Sequence, residues 1–321
     1  MTHGLSRHLL RRLAFAFVLV WAVSSLALLL ARAVPGDFTS EMVVEGGSRD
    51  AIARERARLG LDRPPLEQYG AWLRAAVVLD FGTSFKFGRP VAPLVAERAA
   101  NTTLLALTAL AVATLVGIPL GVVAGSGRGW PAAAIRGTSV ILLSLPPLLL
   151  SLLLAWLAAR TGWLPTGGMT SATASGGPGD TLDLARHLVL PACAIALPLG
   201  ATLERLQARA LRRALAEPCL RAAAARGFSA STLRWRHALR LALTPVVSVY
   251  GLIAGGLLSG SLAVELVMAW PGLGRLMYEA LLARDANLVA GCAAAGALFV
   301  AAGVLLSDVL QAWADPRVVP S

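Results

Sequence analysis

Apolar positions in this chain are massed together rather than alternating with polar ones. Six stretches run without an ionised side chain: Leu13–Ala31, Ala99–Gly127, Gly137–Ala159, Leu188–Leu203, Leu241–Val264 and Ala286–Ser307. A helix needs roughly 20 apolar residues to cross the bilayer's hydrocarbon, and an ionised side chain at its centre costs at least ~2.5–3.5 kcal/mol. The pattern therefore predicts an all-α integral membrane protein with six transmembrane helices. The fourth stretch has 16 residues and includes Pro191 and Pro198. It predicts a kinked helix that extends past Glu204 or back past His187. The first stretch follows Arg7, Arg11 and Arg12 as a signal peptide would. Its 19 apolar residues exceed a usual signal core, and Ala31-Arg32-Ala33-Val34-Pro35 is a poor cleavage site, so it is read as a span.

Between the spans the pattern changes. Arg32–Arg98 is mixed in charge and rich in turn formers, at Pro35-Gly36-Asp37, Glu45-Gly46-Gly47-Ser48 and Asp80-Phe81-Gly82-Thr83-Ser84. It reads as an extracytoplasmic subdomain, with a charged helix over Arg49–Leu59 stopping at Gly60. Thr161–Asp183 carries a Ser/Thr/Gly-rich tail with the composition of a flexible linker, and Trp156 and Trp163 suit membrane-interface anchors. The organisation is thus residues 1–31, tail and first helix; 32–98, external loop; and 99–321, a five-helix core containing the loop 204–240. Gly251–Gly255 and Gly256–Gly260 have the spacing that lets helices approach closely, within the chain or at a subunit interface.

Composition agrees: 56% of the 321 residues are hydrophobic, 15% are charged, and mean hydropathy is +0.68. Charge adds direction. With both termini inside, the inside segments hold 15 of the 29 basic residues, and the short outside loops hold four. The remaining ten lie in the long loop 32–98, where nine acids balance them. Basic residues in short loops favour the cytoplasm, so both termini are expected there. The net charge of +11 then faces the cytoplasm. Topology explains this basicity, and no stacking platform or zinc-finger spacing points to nucleic acid. Cys193, Cys219 and Cys292 read as small hydrophobes, and neither they nor the four histidines show metal-ligand spacing.

No phosphate-binding loop is present: Lys86 is the sole lysine and no G-x-x-x-x-G-K-[ST] surrounds it. The spans also lack the acidic or histidine relays of ion-driven carriers. An energised partner is the better reading, and the loop Glu204–Arg240, with nine arginines against two glutamates, is the place for it. Pro218 suits a first helical position and Gly227 the residue after a helix end, which predicts a helix over Pro218–Arg226. Leu220 and Ala224, with Ala223 beside them, form an apolar strip flanked by Arg221 and Arg226. From these residues alone the strip fits another protein's groove and an anionic membrane surface about equally.

Glu217-Pro218-Cys219-Leu220-Arg221-Ala222-Ala223-Ala224-Ala225-Arg226-Gly227 resembles the coupling helix of the permease subunits of bacterial ATP-binding-cassette importers for peptides and nickel. Arg236–Arg240 and Thr244-Pro245-Val246 follow it in the family's order. Further matches are Leu59–Pro64, Asp80–Ser84, Arg89-Pro90-Val91, Gly117–Gly121, Gly162–Pro165, Trp270–Gly274 and Asp315–Arg317. The long loop after the first span resembles the first of the two permeases in such systems. The resemblance implies a type I importer fold and a non-catalytic subunit that moves substrate by alternating access. It implies as partners a second homologous permease, two cytoplasmic ATPase subunits that bind ATP and Mg, and an extracytoplasmic solute-binding protein. It places the chain in the bacterial inner membrane, with di- or oligopeptides as first substrate choice and nickel chelates or other small solutes next. The site residues so implied are Glu217, Pro218, Cys219, Leu220, Arg221, Ala222, Ala223, Ala224, Ala225, Arg226 and Gly227. Pro218 and Cys219 stand where relatives usually carry an acidic residue and an aromatic, and Arg221 where the wider motif has glutamate. A gradient-driven carrier and a structural membrane protein are the alternatives from other classes.

Overall fold

The computed structural model describes residues 2–34, 36, 38–40, 48–127, 129–171 and 179–314. Most of the turn at 35–37, Glu45–Gly47, Arg128, the Ser/Thr/Gly-rich tail at 172–178 and Asp315–Arg317 lie outside the described residues. The elements are α1 (Thr2–Ala33), α2 (Arg49–Arg58), α3 (Pro65–Ala76), α4 (Val91–Ser126), α5 (Trp130–Ser144), α6 (Pro147–Thr161), α7 (Gly179–Leu215), α8 (Pro218–Ala225), α9 (Ala230–Thr232), a π-helical turn (Leu233–Ala238), α10 (Leu239–Gly260), α11 (Leu262–Val267), α12 (Leu273–Leu282) and α13 (Ala286–Ala314). Among the described residues there is no strand, and Thr83 and Pro90 form an isolated bridge.

Five stretches are long and apolar enough to cross a membrane: Leu10–Ala33, Val91–Ser126, Asp180–Leu215, Ala230–Leu257 and Ala286–Gln311. The sixth expected span, Gly137–Ala159, is a bent pair, because α5 and α6 meet at 102°. The cause is Pro146-Pro147. Proline disfavours helical backbone in the residue before it and donates no hydrogen bond, and Leu145 is accordingly extended (ψ 117°). The fourth span extends past Glu204 and also back past His187, where the sequence offered one or the other, and α7 holds Pro191 and Pro198 inside one element of 37 residues. That is about 55 Å of helix, well beyond the ~30 Å of hydrocarbon.

The described chain forms two compact units. One comprises Thr2–Thr102 and Pro271–Ala301. Here Trp72 packs with Leu28, Ala286 and Ala290, while Tyr69 donates to Ser25 Oγ at 3.1 Å. Asp285, fully buried, organises the Asp80–Ser84 turn: it accepts from Ser84 Oγ at 2.6 Å, from the Lys86 amide at 3.1 Å and from the Leu288 amide at the start of α13 at 3.1 Å. Asp80 in turn accepts from the Gly82 amide at 2.9 Å, where the backbone takes a φ of +82° that glycine adopts without strain. At the start of α12, Thr102 Oγ1 accepts from the Leu273 amide at 2.8 Å, and Asn101 donates to the Pro271 carbonyl at 2.9 Å.

The other unit comprises Thr103–Trp270 and Ala302–Ser321. Its core gathers Leu105, Ala109 and Ala113 of α4 with Ile195 and Leu203 of α7, Val246 of α10 and the buried Trp270. The α4–α7 contact depends on absent side chains. A Cβ on Gly117 would stand 2.6 Å from the Gly200 carbonyl, one on Gly121 2.8 Å from the Glu204 carbonyl, and one on Gly125 2.8 Å from the Ala208 carbonyl. Glycine at every fourth position thus lets the two backbones approach closely. The Gly251–Gly255 spacing serves the same purpose within the chain, against Gly303 and Ser307 of α13.

Candidate coupling site

The segment Glu217–Gly227 folds as a short helix with both expected boundaries. Glu217 is extended (φ −63°, ψ 139°), Pro218 occupies the first helical position, where a missing N–H costs nothing, and Gly227 reverses the chain at φ +88°. Helix α8 ends at Ala225, one residue before the predicted end, with Arg226 as its cap. The Gly227 amide donates to the Ala224 carbonyl at 3.0 Å.

The apolar strip is turned inward. Leu220 is buried against Leu211, Ala214, Val122, Ala238 and Ala242 of the same chain, and Ala223 is buried as well. Ala224, placed in the strip by the i and i+4 spacing, is exposed. The reason is the chain reversal on both sides of α8, which brings the end of α7 and the start of α10 against it and supplies the groove internally. What α8 offers outward is Pro218, Cys219, Arg221, Ala222, Ala224, Ala225 and Arg226. Phe228, just past the helix, is 46% exposed and meets His237 edge-on at 5.5 Å.

The loop itself is shorter than its charge pattern suggests. Glu204–Leu215 belongs to α7, and the link from α8 to α10 runs through α9 and the π-helical turn, whose extra residue per turn is frequent at functional positions. A cavity of 490 Å³ between α7, α8 and α10 is bordered by Arg209, Arg213, Glu217, Cys219, Leu241 and Pro245. Charge counting placed Glu204 at a loop boundary, whereas it is 1% exposed, with Gln207 fully buried one turn on. Four-residue glycine spacing at Gly117, Gly121 and Gly125 is the sequence signal that α7 would be packed there rather than solvated. Among the described residues no group of three or more His, Cys, Asp or Glu could hold a metal ion.

The family model described as the binding-protein-dependent transport system inner membrane component matches residues 117–320, and the model of that component's N-terminal region matches residues 5–108. The chain belongs to this family. A Brucella abortus (strain 2308) protein named as a peptide transport system permease is 36% identical over 313 residues, covering 97% of this chain and 98% of its own. The oligopeptide transport system permease protein AppB of Bacillus subtilis (strain 168) is 31% identical, with 98% and 99% covered. The glutathione transport system permease protein GsiC of Escherichia coli (strain K12) is 32% identical, with 97% and 98% covered. As a binding-protein-dependent inner membrane component, the chain is a multi-pass membrane protein of an importer that works with a binding protein and an ATPase.

Proposed function

We propose that this chain is one of two homologous permeases in an ATP-driven importer of di- or oligopeptides, and that α8 is where an ATPase subunit docks. The observation that carries the substrate class is end-to-end similarity to permeases named for peptide, oligopeptide and glutathione transport. The docking assignment is supported by the outward face of α8. It is a pre-formed ledge of small side chains and two arginines, held to the membrane helices through Leu220. A push on that ledge reaches α7 and α10 directly through packed contacts. ATP and Mg are bound by the ATPase subunits, two per complex, and the permease performs no bond chemistry. Both termini and α8 face the cytoplasm, and a solute-binding protein delivers substrate on the other side.

The test is reconstitution of both permeases, the ATPases and the binding protein in proteoliposomes. ATP-dependent uptake of a labelled di- or tripeptide, absent when the ATPases are omitted, is the expected result. Ion-gradient-driven uptake by this chain alone overturns the proposal.

A further inference from the structure

Glu204 is 1% exposed and neither carboxylate oxygen has a hydrogen-bond partner. One turn along α7, Gln207 is fully buried with both ends of its amide unpartnered. Buried polar groups in folded proteins nearly always have partners, and a buried carboxylate without one is the costliest kind. Glu204 is among the residues that line a cavity of 260 Å³ formed by α4, α5 and α7. Leu197, Gly200, Ala201 and Glu204 line it at helical spacings of three and four, so they share one face of α7. The facing walls are mainly apolar, with Val112, Val116 and Leu120 from α4 and Ile135 and Leu142 from α5, and α5 adds the hydroxyls of Thr138 and Ser139.

A second cavity of 200 Å³ also reaches Glu204 and carries Arg136, Arg205, Arg209 and Arg212. None of these arginines pairs with Glu204, and the Arg136 guanidinium donates instead to the Ala124 carbonyl at 3.0 Å. The Glu204 carboxyl group is therefore left without a partner among the described residues.

We propose that Glu204 receives the ammonium group of a transported peptide, with the apolar side chain of the same residue in the adjoining cavity. This rests on the peptide-importer reading. An α-amino group titrates near ~8 and is mostly cationic at neutral pH. It offers three donors, and a charge-assisted hydrogen bond to a carboxylate is about twice as strong as a neutral one. The mainly apolar walls suit an aliphatic or aromatic side chain, and two hydroxyls and one carboxylate are fewer oxygens than the roughly six that a bare hard metal ion takes. At 260 Å³ the cavity falls below the ~300–1,000 Å³ of sites that enclose a drug-sized ligand, so it takes one end of the peptide.

The experiment uses the assembled importer with Thr138→Cys as a reporter in the cavity wall. Its labelling by cationic 2-aminoethyl methanethiosulfonate is compared with that by neutral methyl methanethiosulfonate, using peptide mass spectrometry with Cys219 as the internal reference. One favourable charge contact predicts that the cationic preference falls at least about tenfold in Glu204→Gln and is largely kept in Glu204→Asp. Uptake of a peptide with a free amino terminus falls in parallel. A preference unchanged in Glu204→Gln overturns the cation site, and a lowered preference with unaltered uptake overturns its assignment to substrate. If the wild-type complex imports no peptide, the peptide reading falls while the labelling ratio still decides the cation site.

Discussion

Gly117, Gly121 and Gly125 stand where α4 and α7 meet backbone to backbone, and each tolerates no side chain as the helices now lie. Gly117→Ala puts a methyl group 2.6 Å from the Gly200 carbonyl, so the helices must separate. The expected cost is ~1–3 kcal/mol, read as a lower melting temperature of the complex in nanodiscs. Gly256→Ala is the control: nothing lies within 4 Å of its added methyl, and it is expected to be neutral or to stabilise by ~0.5–1 kcal/mol. Asp285 gives the converse case, a side chain that is needed. Asp285→Ala leaves the Ser84, Lys86 and Leu288 donors without their acceptor, at ~1–3 kcal/mol for each donor that stays buried. Proteolysis within Asp80–Pro90 is expected to increase. The Asp-Phe-Gly-Thr-Ser string is visible in the sequence, but its partner lies some two hundred positions away, a separation that no local spacing reveals.

Helix α8 illustrates how an element can be predicted in place yet misjudged in facing. Pro218 and Gly227 set its ends through backbone chemistry, which is local and therefore readable. Which face is buried depends on the chain at both flanks, and this turns Leu220 and Ala223 inward. Ala223→Asp is accordingly expected to act by loosening α8 from the chain it packs on, since an unpaired carboxylate at an 8% exposed position is costly. Peptide uptake is lost while ATP hydrolysis continues, and the subunit stays in the membrane. Arg221→Glu and Arg226→Glu change exposed side chains and are expected to leave stability within ~0.5 kcal/mol. They should weaken co-purification of the ATPase, and equal recovery of the ATPase in both variants would remove α8 as the docking surface.

For the chain in its membrane, orientation is the open prediction. Cys219 is exposed on α8 and should react with a membrane-impermeant maleimide only from the cytoplasmic side. Reaction from the outside alone would invert the topology. Helical class and the positions of five spans follow from the sequence, because the bilayer imposes length and apolarity on each segment separately. The limits of α8 follow too, to within one residue, since proline and glycine act on their own backbone. Folding in three dimensions settled the remainder: the 102° bend at Pro146-Pro147, the reach of α7 as far as Leu215, the inward face of α8 and the burial of Glu204 beside a mainly apolar cavity. Each of these depends on which distant segment lies opposite, and a charge near the end of an apolar run reads the same whether water or another helix meets it.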